Sequence, residues 1–157
     1  MIILGLDPSL SCTGWGIIRS QGSRLTHIAN GQVKTDAKAP IANRLSHLVT
    51  AIEAVIAEHR PTRAACEEVF VNKNPQSTLK LAQARGAVLA ACGARGVPVN
   101  EHSARLVKKS ITGTGAADKV QIQAMLKILL PAAKVAGADA ADALAVAIAD
   151  ANLKGGA

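Results

Sequence analysis

Eleven acids are spread over 157 residues, and several stand where carboxylates do chemistry. Asp7 follows the apolar run 2–6 directly, at the carboxyl end of an expected strand, where open α/β sheets place their ligand sites. Glu67 and Glu68 follow Ala64-Ala65-Cys66 at the end of another expected strand. They point to opposite faces, so one alone can join a site. Parity pairs Glu67 with Ala65 and Glu68 with Cys66 and leaves the choice open. Asp139 and Asp142 lie three residues apart, on one face at the start of the last expected helix. Each set has a plain structural reading by itself: a turn-opening Asp before Pro8, an exposed edge charge, a helix cap. Brought together without cations, these charges would repel and raise each other's pKa. Magnesium prefers oxygen ligands and works beside phosphate oxygens, so three or four carboxylates on a basic chain suggest two-metal phosphodiester chemistry.

The chain is basic. Eighteen Lys and Arg against 11 acids leave a formal charge of +7, which calls for an anionic partner, nucleic acid or an anionic membrane surface first. Trp15 and Phe70 are the whole aromatic complement, too little for a platform that stacks single-stranded bases, so contacts to a phosphate backbone fit better. Lys108, Lys109 and Lys119 flank the Gly113-Thr114-Gly115 turn, where each also reads as a solvated charge; Lys80, Arg85 and Arg105 offer further phosphate-backbone contacts but read better as solvated charges. The stretch GTGAADK lacks the Gly-Lys-Ser/Thr ending of a phosphate loop. Cys12, Cys66 and Cys92 are odd in number and too far apart for a disulfide framework or thiolate zinc site, and read as small core residues. The four histidines form no metal spacing, and His102 is assigned no role. No apolar run approaches the roughly 18 residues of a membrane helix, and no basic region precedes the first apolar residues, so a cytoplasmic protein with no membrane segment is expected.

The elements that would position these residues follow from period and punctuation. Strands are expected over 1–6, 13–19 and 25–34, the last two separated by Gln21-Gly22-Ser23. Ile41, Leu45, Leu48, Ile52, Val55 and Ile56 form one face of a helix that ends before Pro61. A strand over 63–69, a loop over 72–76, a helix over 77–95 and a strand over 97–101 follow. Asp118 and Gln121 form a capping pattern for a helix over 120–130, and a last helix spans 138–153. This order describes one α/β domain over 1–157, a mixed sheet with helices on both faces and right-handed crossovers. The helix from Ser77 is apolar nearly all round, as expected if it is sandwiched in the core or forms half of a subunit interface.

The segments ILGLDPSLSCTGWGII, ACEEVFVNKNPQSTLKLAQARG, EHSARLVKKSITGTGAADKVQIQ and ADAADALAVAIA, in this order and spacing over about residues 1–152, resemble the RuvC-type Holliday junction resolvases, or crossover junction endodeoxyribonucleases. The resemblance implies a ribonuclease H-like fold, here a mixed five-stranded sheet with three antiparallel strands and then parallel ones. It implies a homodimer, for which the apolar helix from Ser77 offers a contact, and paired symmetric nicks in four-way DNA junctions during recombination and repair, leaving 5′-phosphate and 3′-hydroxyl ends. It assigns Asp7, Glu67, Asp139 and Asp142 to the acidic site, which favours Glu67 over its neighbour, with two Mg²⁺ per site and Mn²⁺ as a substitute. It makes Lys119 both catalytic and DNA-binding, Lys108 DNA-binding, and Phe70 an apolar wedge at the branch point with Lys73 near phosphate, against the plain reading of Phe70 as core. It further implies a branch-migration motor complex as partner. The rival readings are a non-catalytic branched-DNA adaptor and a related RNA-directed nuclease. A phosphotransferase of the actin and sugar-kinase kind also shares the pattern LGLDPSLSCTGWGI, but closes two domains around its nucleotide.

Overall fold

The computed structural model describes residues 1–69 and 73–154. Strand β1 (Ile2–Asp7) alternates: Ile3 and Gly5 face one layer of helices, Leu4 and Leu6 the other. It pairs antiparallel with β2 (Cys12–Gln21), which turns through Gly22 at φ 59° into antiparallel β3 (Arg24–Lys34). Helix α1 (Ile41–His59) crosses to β4 (Arg63–Glu67), parallel to β1, and α2 (Pro75–Ala94) crosses to β5 (Val99–His102), parallel to β4. The sheet order is β3-β2-β1-β4-β5, the mixed five-stranded arrangement expected from the sequence.

Two apolar cores result, one on each face. Leu4, Leu6 and Ile17 pack with Leu48 and Ile52 of α1 and with Ala84 and Val88 of α2. Ile3, Ile18 and Ala65 pack with α3 (Ala104–Thr112), α4 (Lys119–Leu129) and α5 (Ala138–Lys154). Helix α5 is buried along most of its length and nearly touches the strand backbones. A Cβ on Gly5 would stand 1.9 Å from the Ala143 carbonyl oxygen, and one on Gly14 would stand 1.9 Å from that of Asp139. Glycine at these positions therefore sets the height at which α5 rides on the sheet.

Among the described residues three helices follow β5, not two. Helix α3 went unexpected because it is short and rich in Arg and Lys, with Val107 and Ile111 as its buried residues; Ser103 caps it and Gly113 ends it at φ 84°. Strand β4 stops at Glu67 instead of running to residue 69, and Glu68 and Val69 are exposed beyond it. Helix α2 begins earlier than expected, at Pro75, because the Asn74 side chain accepts the N–H groups of Gln76 and Ser77 and Pro75 suits a first turn. It is not sandwiched: Ala84, Val88, Ala91 and Cys92 form its buried side, while Leu79 is 60% exposed. Cys66 and Cys92 are core residues as expected, whereas Cys12 is half-buried. No described helix is long and apolar enough to cross a membrane.

Candidate active site

One row of residues crosses the sheet at the carboxyl ends of its parallel strands. Gln32 of β3 pairs with Gly14 of β2, and Gly14 pairs with Asp7 of β1. The pairing of Leu6 with Cys66 puts Asp7 beside Glu67, which in turn pairs with His102 of β5. The first turn of α5 rests on this row above Gly14, so Asp139 and, one turn on, Asp142 arrive over the same strand ends as Asp7 and Glu67. Strand parity decides between the adjacent glutamates. Ala65 belongs to the α5-side core, Glu67 shares its face and is half-buried, and Glu68 is exposed.

A cavity of about 440 Å³ opens here, lined by Asp7, Glu67 and Asp142 with Lys108 and Lys119 on its α3 and α4 walls. The Asp7 carboxyl is pushed up to about 7, by burial first and then by Asp142, Asp139 and Glu67, with Lys119 opposing. Glu67 is raised by burial and by Asp142, and Lys108 and Arg85 pull it down. Burial also raises Asp142; Lys119, with its Nζ 3.5 Å from Oδ2, draws it back, and Asp139 pushes it up again. The Cys12 thiol, beside Asp139, is held up at about 11 by burial and by its hydrogen bond to that carboxylate. Among the described residues, no group of three His, Cys, Asp or Glu side chains is gathered closely enough to hold an ion as it stands. The four carboxylates nonetheless share one end of the sheet, and an all-oxygen donor set of this kind suits a hard divalent cation.

Several supports of this site escaped the sequence reading. Gln32 Oε1 accepts the N–H groups of Asp139 at 3.2 Å and Ala140 at 3.4 Å, so β3 supplies a cap to α5 from 107 residues away. Asn30, two residues earlier, donates to the Lys134 carbonyl and accepts from the Ala136 N–H, which fixes the segment leading into α5. Arg85, taken from sequence as a solvated charge, is half-buried; its Nη1 donates to the Glu67 carbonyl and Nη2 to the Glu101 carboxylate. His102 also has a partner after all. Its Nε2 lies 2.7 Å from Oδ1 of Asp150, a fully buried acid near the far end of α5 that also accepts from Arg63 Nε at 2.5 Å and Asn100 Nδ2 at 3.0 Å. No local signal marks these links, because each joins residues distant in sequence.

Of the basic positions singled out from sequence, Lys108 and Lys119 reach the cavity. Lys109 and Lys73 are exposed and do not line it. Phe70 lies outside the described residues.

Comparison with known proteins gives a consistent result. The family model described as Crossover junction endodeoxyribonuclease RuvC matches residues 3–150. A crossover junction endodeoxyribonuclease RuvC of Erythrobacter litoralis is 78% identical over 153 residues, covering 98% of this chain and 94% of that relative. The protein of the same description from Sphingopyxis alaskensis is 69% identical over 152 residues, with 97% of each chain covered. The solved structure of T. thermophilus RuvC in complex with Holliday junction substrate superposes with a TM-score of 0.92 at 29% identity, over 98% of this chain and 94% of that one. The structure of the yeast mitochondrial Holliday junction resolvase Ydc2 shares the fold at a TM-score of 0.64 and 13% identity. With a family match across nearly its whole length and relatives this similar, the chain belongs to the crossover junction endodeoxyribonuclease RuvC family.

Proposed function

We propose that this chain resolves four-way DNA junctions by metal-dependent hydrolysis of phosphodiester bonds, with Asp7, Glu67, Asp139 and Asp142 as ligands to two Mg²⁺ ions and Mn²⁺ as a workable substitute. The observation that carries the reading is the meeting of these acids over one row of the sheet, where Asp7 is driven up to about 7. Excess negative charge on hard oxygen donors, set against the cations Lys108 and Lys119, fits such ions. When bound, they would supply an activated water and stabilise the leaving 3′ oxygen, so that nicks carry 5′-phosphate and 3′-hydroxyl ends.

The chain's own residues do the rest. Asp7 is held still by the loop that follows it: buried Thr13 donates to the Ser9 carbonyl at 2.7 Å and accepts the Ser9 N–H at 3.1 Å. Lys119, 76% exposed, brings positive charge to the developing charge on the phosphoryl oxygens, and Lys108 holds the backbone in the same cavity. Lys73 and Phe70 would meet the branch point, as phosphate contact and wedge. Residues 1–157 act as one nuclease domain. Two matched nicks call for twofold symmetry, and the exposed side of α2 beyond Gln83 is the proposed dimer contact, checked by light scattering at working concentration, where a strict monomer would sink it. A cytoplasmic setting in recombination and repair beside a branch-migration motor complex completes the reading.

The test is a labelled four-way junction and a matched linear duplex, incubated with Mg²⁺ or chelator, beside an Asp7→Asn variant. Paired nicks on the junction alone, requiring metal and Asp7, are expected. Junction binding without nicks under any metal would favour a non-catalytic adaptor, and cutting of RNA but not the junction would favour an RNA-directed nuclease.

A further inference from the structure

Three arginines are half-buried among the described residues: Arg44, Arg63 and Arg85. Arg63 meets the carboxylate of Asp150 and Arg85 that of Glu101. Arg44 meets no carboxylate within ion-pair distance among the described residues. Its Nε donates to Thr35 Oγ1 at 2.8 Å, and that hydroxyl donates onward to the Leu10 carbonyl at 2.6 Å. The guanidinium is thereby held in one orientation, the state in which its planar fork of N–H groups is most useful to an oxyanion that accepts two of them, such as a phosphate.

The open side of Arg44 faces three hollows of about 410, 380 and 280 Å³, each of which it lines. Lys80 lines two of them, Ser9 and Ser77 add hydroxyls, and Lys34 adds charge at the far end, with Asp36 as the carboxylate among the lining residues. The trench lies against the opposite core from the acid cavity, since Leu10 belongs to the α1–α2 side. Ser9 nevertheless links the two, because it follows Asp7 by two residues and so lies within about 7 Å of it along the chain.

We infer that this trench is a second phosphodiester-binding track: a DNA backbone passing the acid cavity crosses Ser9 and sets phosphates against Arg44 and Lys80. The inference rests on the proposed junction-resolving function. It explains why one half-buried guanidinium is oriented but left without a carboxylate, and why hydroxyls and a lysine line the same trench.

The test measures affinity for a labelled four-way junction in chelator between 50 and 200 mM salt, for the wild type and for Arg44→Gln, Lys80→Gln and Arg24→Gln. Arg24, exposed beside the β2–β3 turn at the other end of the sheet, controls for lost charge. Each trench variant is expected to reduce the slope of log affinity against log salt by about one, as loss of one phosphate contact does, while Arg24→Gln leaves it unchanged. Arg44→Lys keeps the charge without the fork and should fall between. Lys80 is exposed, so its variant does not depend on refolding of a packed site. If both trench variants match Arg24→Gln in affinity and slope, the track is overturned while the junction reading stands. A wild type without junction affinity overturns both.

Discussion

Helix α5 carries acids at both ends and treats them in opposite ways. Near its C-terminus Asp150 is fully buried, yet Arg63, Asn100 and His102 surround it with donors. At its N-terminus Asp142 lines a partly open cavity with Asp7 and Glu67, and Asp139 acts on Asp7 from beside it; burial and mutual repulsion raise Asp7, and the close ion pair among the described residues there is Lys119 with Asp142. A buried acid that serves the fold is surrounded by its partners, because an unpaired buried charge is costly. The other end is left short of positive charge, and that shortage is what a cation and a phosphodiester can fill. The same helix thus anchors itself at one end and brings under-compensated carboxylates to the cavity at the other.

The contrast is sharpest in Asp7→Asn. Junction nicking is expected to fall by about a thousandfold or more, or about 4 kcal/mol of transition-state stabilisation, in single-turnover assays, with the fold retained. Asp150→Ala should do the reverse. It strands Arg63 and His102 and is expected to cost roughly 3 kcal/mol in denaturant unfolding, while the folded fraction nicks at the wild-type rate. Gln32→Ala, which removes the cap from α5, should slow single-turnover nicking about tenfold with unchanged junction affinity, and Gln32→Glu, which keeps an acceptor, should recover most of that rate. An equal loss in both variants would reduce Gln32 to packing.

The same carboxylates also set a pH dependence. The Asp7 carboxyl ordinarily titrates at 3.8 and is raised to about 7 in the fold, so between those values the folded chain binds more protons than the unfolded one. Stability of the metal-free protein should therefore decline as pH rises from about 4 to about 7, and Asp7→Asn should flatten that decline in thermal scans taken at several pH values. Saturating Mg²⁺ should offset it above pH 7.

Much of this contrast could be read from sequence because strand ends and helix starts announce themselves. Apolar runs that stop at Asp7 and at Glu67, and the Asp139–Asp142 spacing, locate the acids without any tertiary knowledge. Three antiparallel strands followed by helix-separated ones likewise imply the mixed sheet. Alternation alone left Glu67 and Glu68 open, since it names two faces but not which of them α5 covers; the family resemblance favoured Glu67, and the structure puts Glu67 on the α5 side. Asp150 gave no sign of its role, for an acid near a helix end is ordinarily solvated, and its three partners come from β4 and β5. Gln32 and Arg85 act through backbone groups of residues far away in the chain, a relation that no local pattern encodes. Helix α3 was missed because charge masks its two buried positions.

The most direct test of the contrast is to titrate Mg²⁺ and Mn²⁺ at pH 8 and follow thermal unfolding in the wild type, Asp7→Asn and Asp150→Asn. A ligand that binds the folded state raises its unfolding temperature with concentration. The wild type and Asp150→Asn are expected to gain alike from the metal, and Asp7→Asn to gain little or nothing. An Asp7→Asn curve that climbs with metal as steeply as the wild type would contradict the assignment of these carboxylates as the metal site.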